Sequence, residues 1–149
     1  MSSTDSIGSG PAAAGSGGRF VLVVDDEKRI ADTLTMILSS KGYPSRAAYD
    51  GAEALALCGE RVPDLVISDV VMPVMNGIDL AIAVRRTFPT CKILLFSGQA
   101  ATGPMLEKAS SQGYQFELLA KPLHPADLLE KVAELIGRPG ETTIPASVS

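Results

Sequence analysis

Charged and hydroxyl side chains occur where four aliphatic segments of the sequence end. They are Asp25 and Asp26 after RFVLVV, Asp69 after DLVIS, Ser97 after KILLF, and Lys121 after FELLA. Carboxylates in one place repel each other unless a cation lies among them. Oxygen ligands without histidine or cysteine suit Mg²⁺, and a carboxylate in such a site is able to attack phosphorus. The residue types therefore predict phosphoryl transfer to Asp69, with Lys121 pairing with the phosphoryl charge and Ser97 donating a hydrogen bond to it.

This chemistry requires a fold that brings the four segment ends together. Five short apolar segments are predicted strands, and they alternate with longer helical patterns: RFVLVVD, PSRAAY, DLVISD, CKILLFS and FELLAK. Such alternation is typical of βα units that build a parallel sheet covered by helices on both faces. Ligands of open α/β sheets bind beyond the carboxyl ends of the strands. We therefore expect the polar residues to converge on one site although they are distant in sequence.

Helical periodicity is present in five segments, most of them bounded by residues typical of helix ends. The first helix spans residues 30–38 before Gly42 and has the apolar stripe Ile30, Leu34, Ile37 and Leu38. The second is capped by Asp50 and has Ala54, Leu55 and Cys58 facing inward, and the third is capped by Asn76 and ends before Pro89. The fourth covers residues 102–112, and the fifth begins at Pro125. The fourth contains Gly103 and Pro104, which disfavour helix. We expect it to be short or mobile.

Composition limits the protein to one ordinary globular domain. The chain has 149 residues, of which 46% are hydrophobic and 20% charged. We assign residues 19–137 to this domain, residues 1–18 to a disordered tail rich in Gly, Ser and Ala, and residues 138–149 to a short C-terminal tail.

Charge and hydropathy exclude several classes of partner. The formal net charge of −4 offers no basic field for nucleic acid or anionic lipid. The sequence has neither a secretory signal nor an apolar run near the ~20 residues of a membrane-spanning helix, so we predict a cytoplasmic protein. Cys58 and Cys91 lack metal-ligand or CxxC spacing and are expected to be buried thiols.

Each polar residue also has an ordinary structural interpretation. Asp25 and Asp26 suit a helix N-cap, Asp69 suits a turn, Ser97 suits the start of a loop, and Lys121 suits a solvated strand end. These interpretations would all have to hold on the same edge of one sheet, and the coincidence favours a shared site instead. The single histidine, His124, is interpreted as a residue at a helix N-terminus and not as a ligand.

Four motifs in chain order resemble the CheY-like receiver domain of two-component response regulators: VVDDEKRI, PDLVISDVVMPVMNG, LLFSG and LAKPL. The resemblance covers roughly residues 19–137. It implies a flavodoxin-like, doubly wound parallel sheet with strand order 2-1-3-4-5, a detail that comes from the resemblance and not from the periodicity.

The resemblance also implies roles for the polar residues. Asp69 is expected to accept a phosphoryl group from a sensor histidine kinase or a histidine phosphotransfer protein. Mg²⁺ is expected to be bound by the side chains of Asp26 and Asp69, by the backbone carbonyl of Val71, and by Asp25 through water. Ser97 and Lys121 are expected to contact the phosphoryl group. A cis peptide bond before Pro122 is also typical of this family.

One position departs from the family pattern. Many receivers carry Tyr or Phe three residues before the lysine that corresponds to Lys121, and its ring moves inward on activation. This chain has Leu118 there, which puts the usual aromatic switch in doubt. The loop GQAATG after Ser97 is a hypothetical alternative route for relaying a movement into the fourth helix.

The leading functional interpretation is a single-domain response regulator that catalyses only its own phosphorylation and dephosphorylation and acts through a downstream protein target. It would not bind DNA directly or associate with a membrane, and the resemblance allows a homodimer through the fourth and fifth helices. One alternative is a receiver-fold binding module that works without phosphorylation, which Leu118 favours. Another is a phosphatase of the haloacid dehalogenase type, which the adjacent Asp25 and Asp26 disfavour because those enzymes use a DxD motif.

Overall fold

The computed structural model describes residues 19–98 and 102–139. The predicted N-terminal tail, most of the predicted C-terminal tail, and residues 99–101 of the GQAATG loop lie outside the described residues.

Five strands and five helices alternate along the described chain. The strands are β1 (Val21–Val24), β2 (Ser45–Ala48), β3 (Leu65–Asp69), β4 (Lys92–Ser97) and β5 (Glu117–Ala120). The helices are α1 (Lys28–Ser40), α2 (Gly51–Glu60), α3 (Gly77–Thr87), α4 (Thr102–Ser111) and α5 (Pro125–Ile136). All strand pairs are parallel and the sheet order is β2-β1-β3-β4-β5, which confirms the predicted doubly wound, flavodoxin-like α/β fold.

The register of the sheet places the strand ends side by side. Val24 at the end of β1 pairs with Ser68 of β3, Asp69 pairs with Phe96 of β4, and Ser97 pairs with Ala120 of β5. Asp25 and Lys121 follow directly after β1 and β5, so the strands are slightly shorter than the sequence segments suggested. The polar residues therefore occupy neighbouring positions along one edge of the sheet.

Two apolar layers cover the sheet because side chains alternate between its faces. Val21 and Val23 face a layer that includes Leu38 of α1 and Val132 of α5. Leu22 and Val24 face the opposite layer, which includes residues of α2, α3 and α4. β1 is fully buried, and each large side chain buried in this way stabilises the fold by about 1.5–3 kcal/mol. This core fixes the strand ends that carry the polar residues.

The helix ends agree with most of the sequence predictions. Asp50 and Asn76 accept hydrogen bonds from the backbone N–H of Glu53 and Asp79, at 2.7 and 2.8 Å, and Pro125 is the first residue of α5 after the N-cap His124. Helix α4 spans ten residues, Thr102–Ser111, close to the predicted 102–112.

One alternative interpretation is excluded and one local prediction was wrong. The N-cap of α1 is Glu27, whose side chain makes no capping hydrogen bond, so the ordinary interpretation of Asp25 and Asp26 as helix caps, which the shared site disfavoured, does not hold. On α2 the deeply buried leucine is Leu57 and not Leu55, which is only partly buried. The small alanines of this helix make its apolar stripe ambiguous by sequence alone.

Both thiols are buried, as predicted. Cys58 and Cys91 are free, and burial raises the pKa of Cys58 to about 11 and that of Cys91 to about 12. These thiols stay protonated near neutral pH and behave as small apolar side chains. Within the described residues, none of the helices has the length and apolarity needed to cross a membrane.

Candidate functional site

Three carboxylates meet at the carboxyl edge of the sheet. Ligand oxygens of Asp25, Asp26 and Asp69 all lie within 4.8 Å of one another. Asp25 and Asp69 are buried and Asp26 is exposed, so the cluster opens to solvent on one side. Their proximity follows from the pairing of β1 with β3, which brings the β1–α1 connection beside the end of β3.

Both carboxylate oxygens of Asp69 have partners, and its backbone carbonyl lies close to Gly77. Its Oδ1 accepts a hydrogen bond from the backbone N–H of Val71 at 3.4 Å, and its Oδ2 lies 3.3 Å from Nζ of Lys121. Behind it, a Cβ atom at Gly77 would collide with the Asp69 backbone carbonyl. Glycine is therefore needed at the start of α3 so that the helix approaches the strand end this closely.

Lys121 reaches Asp69 from the end of β5, next to the end of β4. Its backbone N–H donates a hydrogen bond to the carbonyl of Ser97 at 3.0 Å, and the Lys121–Pro122 peptide bond is cis, as the resemblance implied. The ammonium nitrogen lies 5.2 Å from the ring centroid of Phe96, within range of a cation–π contact. A Cβ at Gly98 would approach the Lys121 side chain to 3.1 Å, so a larger residue would crowd the lysine.

A cavity of about 280 Å³ joins these residues. Its lining comprises Asp26, Glu27, Asp69, Val71, Ser97, Gly98 and Lys121. Asp25 does not line the cavity, although its carboxylate belongs to the acidic cluster. The structure thus brings together all the predicted site residues, five of them around this cavity and Asp25 beside Asp26 and Asp69 in the acidic cluster.

The pKa of the buried Asp25 carboxylate is perturbed by its surroundings in the site. Burial raises its pKa to about 6, and the negative charges of Asp69 and Asp26 act in the same direction. A hydrogen bond from the Glu27 backbone N–H to Oδ1, at 2.9 Å, and the charge of Lys121 oppose that rise. The other oxygen, Oδ2, is buried without a hydrogen-bond partner. A buried acceptor beside two further carboxylates is a donor set that fits a hard divalent cation such as Mg²⁺.

Sequence reasoning missed part of the site. Glu27 and Gly98 line the cavity, and each directly follows a predicted site residue, so the adjacent position was the available signal. The role of Gly77 was also missed, because its close approach to Asp69 depends on the packing of α3. A larger apolar groove of about 670 Å³ was also missed, and it lies between α1 and the segment 121–125. Its walls include Ile30 and Ile37, whose partial exposure the helical stripe did not predict.

Leu118 lies away from the cavity, in the middle of β5, where it pairs with Leu95 and is 40% exposed. Tyr114 is not placed to replace the missing aromatic residue at this position. Its ring stacks with Phe116 at 6.1 Å between centroids, and its hydroxyl accepts a hydrogen bond from Arg86 Nε at 3.2 Å. Both aromatic rings belong to the segment that precedes β5.

Comparison with curated proteins identifies relatives among response regulators. The chain is 31% identical over 124 residues to the "Probable transcriptional regulatory protein TcrX" of Mycobacterium tuberculosis, covering 83% of this chain and 52% of the relative. It is 31% identical over 118 residues to the "DNA-binding response regulator MtrA" of Mycobacterium leprae, covering 79% of this chain and 51% of the relative. The chain thus spans about half the length of the curated relatives it matches.

Solved structures show the same similarity in three dimensions. The chemotaxis protein CheY4 of Vibrio cholerae superposes with a TM-score of 0.71 at 32% identity, covering 79% of this chain and 98% of that chain. The receiver domain of NtrX from Brucella abortus gives a TM-score of 0.69 at 28% identity, covering 78% of this chain and 97% of that chain. The model of the response regulator receiver domain family matches residues 21–133. The chain therefore belongs to the response regulator receiver domain family of two-component signalling systems.

Proposed function

We propose that this protein is a phosphorylation-dependent switch in which Asp69 accepts a phosphoryl group from a phosphohistidine of a sensor kinase or phosphotransfer protein. The observation that carries the proposal is the cluster of the Asp25, Asp26 and Asp69 carboxylates at the end of the sheet, with Asp26, Asp69 and Lys121 lining one cavity there. Family membership supports the same reading. The activity is confined to the protein's own phosphorylation and dephosphorylation, so the protein is not an enzyme of metabolism.

Mg²⁺ is the proposed cofactor. Asp26 and Asp69 would hold it through their side chains, Val71 through its backbone carbonyl, and Asp25 through water. The unpartnered Oδ2 of Asp25 and the raised pKa of that residue support this assignment, because a cation nearby would favour the ionised carboxylate. When bound, Mg²⁺ would draw negative charge from the phosphoryl oxygens.

The residues of the chain supply the nucleophile and its positioning. An oxygen of Asp69 forms a bond to phosphorus while the phosphorus–nitrogen bond of the phosphohistidine breaks. The electron pair of that bond stays on the imidazole nitrogen, and the product is an acyl phosphate on Asp69. Lys121, now paired with Asp69 Oδ2, would move its charge to a phosphoryl oxygen, and Ser97 would donate a hydrogen bond to another.

The output of the switch is proposed to be a change in protein contacts with a downstream target. Phosphorylation shifts two conformations only by its differential interaction with each. Two relatives carry names that describe transcriptional regulation or DNA binding, but this chain matches only about half of each relative. The described residues form a single receiver domain.

A second candidate is a receiver-fold module that binds its partner without phosphorylation. The observation in its favour is Leu118, which is an exposed aliphatic residue where many receivers have a switching aromatic. This candidate is disfavoured because Asp25, Asp26, Asp69 and Lys121, the residues expected for phosphoryl acceptance, lie together in one site.

Phosphoryl acceptance from acetyl phosphate tests the proposal. The wild-type protein should accept one phosphoryl group per chain in the presence of Mg²⁺ and none with a chelator. Lys121→Ala should slow labelling about 10- to 100-fold because it removes a charge-assisted contact, while Lys41→Ala is the matched control, at the far end of α1. Absence of labelling in the wild-type protein would favour the binding module. Sustained hydrolysis of p-nitrophenyl phosphate would favour the phosphatase alternative.

A further inference from the structure

Charge is distributed unevenly between the two edges of the sheet, although the whole chain has a formal net charge of −4. The carboxyl edge holds the acidic cluster and Glu27. Cationic side chains lie at the opposite, amino edge of the sheet. Arg85 and Arg86 belong to the last turn of α3, and Lys92 is the first residue of β4. We call Arg85, Arg86 and Lys92 the basic edge.

The cations of the basic edge form no ion pair with a carboxylate of the residues that the structure describes. The nearest acidic residues have other partners. Asp64 accepts a hydrogen bond from the Phe20 backbone N–H at 2.8 Å, and Glu117 pairs with Lys131 at 3.3 Å. The positive charge of the basic edge is therefore available to a ligand.

Aromatic side chains position the two arginines. The guanidinium carbon of Arg85 lies 5.4 Å from the ring centroid of Phe116, and Arg86 Nε donates a hydrogen bond to the Tyr114 hydroxyl at 3.2 Å. The two rings stack on each other with their centroids 6.1 Å apart. A guanidinium that packs on a ring keeps N–H donors that can bind an anion bidentately.

A cavity of about 330 Å³ lies between Arg85 and Lys92. The rest of its lining comprises Ile93, Gln115, Phe116, Glu117 and Leu135. The cavity thus combines two cations and an amide with aliphatic and aromatic surface. This combination fits carboxylates that flank an apolar group, because charge-assisted hydrogen bonds orient the anion while the apolar surface packs against its neighbour.

Stabilisation of a helix end explains only part of this arrangement. Cations in the last turn of α3 interact favourably with the negative end of the helix dipole, which accounts for the positions of Arg85 and Arg86. The dipole does not account for Lys92, which begins a strand, or for the cavity that separates Lys92 from Arg85.

We propose that the basic edge binds an acidic segment of a partner protein, with carboxylates paired to Arg85 and Lys92 and an apolar side chain in the cavity between them. A protein segment is favoured over nucleic acid because two of the three cations border one short cavity, whereas a phosphate backbone is followed by a longer groove. The net charge of −4 also repels a long polyanion.

The basic edge and the proposed phosphorylation site lie at opposite ends of the same strands. Lys92 begins β4 and Ser97 ends it, so the two sites are separated by about 17 Å along the strand. A segment bound at the basic edge leaves Asp69 open to its phosphodonor. The protein is therefore able to hold this partner both before and after phosphorylation, and the inference goes beyond the proposed function.

Fluorescence anisotropy with short labelled peptides tests the proposal on the full chain. The probe has Asp and Glu residues around one leucine, and the reference peptide has Asn and Gln in their place. The test variant is Arg85→Gln/Lys92→Gln. The matched control is Lys41→Gln/Arg46→Gln, which removes the same charge from exposed positions at the end of α1 and in β2.

We expect the wild-type protein to bind the acidic peptide about tenfold more tightly than the reference peptide. Arg85→Gln/Lys92→Gln should lower the affinity for the acidic peptide about tenfold, and the control variant should keep the wild-type affinity. Equal binding of the two peptides by the wild-type protein overturns the inference. An equal loss of affinity in the control variant also overturns it, because the attraction would then be a general effect of charge.

Two further measurements complete the test. Lys92→Gln alone changes one exposed side chain and should lower the affinity about threefold, so it decides the question if circular dichroism shows that the double variant is unfolded. Labelled oligothymidylate takes the place of the peptide in the second measurement. If it binds more tightly than the acidic peptide and loses affinity in Arg85→Gln/Lys92→Gln, the basic edge binds nucleic acid and our assignment is wrong.

Discussion

Asp25 should make the metal-free protein less stable as pH rises, and Asp25→Asn should remove that dependence. The folded-state pKa of about 6 lies above the ordinary value of 3.8, so folding disfavours the ionised form. Stability from the protonated carboxyl is fully present below pH 3.8 and is lost as pH rises through 6. The full difference corresponds to about 3 kcal/mol, of which about 2 kcal/mol falls between pH 4.5 and 7.5.

Urea denaturation with a chelator measures this effect. The unfolding free energies of the wild-type protein and of Asp25→Asn are compared at pH 4.5 and at pH 7.5. The difference between the two proteins should shift by about 2 kcal/mol in favour of the variant at the higher pH. Contributions that do not depend on pH, such as altered hydrogen bonding by the amide, cancel in this comparison.

Mg²⁺ provides the matching control. At pH 7.5 it should raise the unfolding free energy of the wild-type protein more than that of the variant, because it binds a folded site that retains all three carboxylates. Parallel pH profiles for the two proteins without metal would refute the reasoning about Asp25. Equal stabilisation of both by Mg²⁺ would show that Asp25 takes no part in metal binding.

Three further predictions follow from local geometry. Gly77→Ala should destabilise the fold by more than about 2 kcal/mol and slow phosphoryl acceptance, because the new Cβ displaces the Asp69 carbonyl. Gly59→Ala, whose Cβ would have no atom nearby, should instead raise the free energy of unfolding by about 0.5 kcal/mol. Thermal unfolding measures both variants, and equal effects would contradict the packing argument. Cys58 and Cys91 should resist a thiol reagent at pH 7.5 until urea is added, and rapid native-state modification would show that they are accessible. Asn76→Ala should cost about 1 kcal/mol through the lost cap of α3, and an unchanged urea midpoint would contradict that role.

The sequence was enough to predict that the polar site residues lie close together, because their positions depend on where the strands end and not on details of packing. Aliphatic segments identified β1, β3, β4 and β5, and polar residues at their carboxyl ends must share one edge in a parallel sheet. The strand order came from family resemblance alone. Alternation of strands and helices allows several orders, and local sequence does not choose among them.

Other features depend on three-dimensional packing. The Oδ2 atom of Asp25 is buried without a hydrogen-bond partner, and the helix cap falls one residue beyond the two aspartates. Val74, in the loop between β3 and α3, has a positive φ of 68°, against the preference of valine. Neither feature has a signature in residue type or spacing.

The proposed switch requires that Asp69 is the residue that becomes phosphorylated. The most direct test is to treat the protein with acetyl phosphate and Mg²⁺, reduce it with borohydride, and map the modified peptide by mass spectrometry, since borohydride converts an aspartyl phosphate to homoserine. We expect homoserine at position 69 in the wild-type protein, and none anywhere in Asp69→Asn or in the wild-type protein treated with a chelator. Homoserine at position 25 or 26, or an unmodified protein under all conditions, would contradict it.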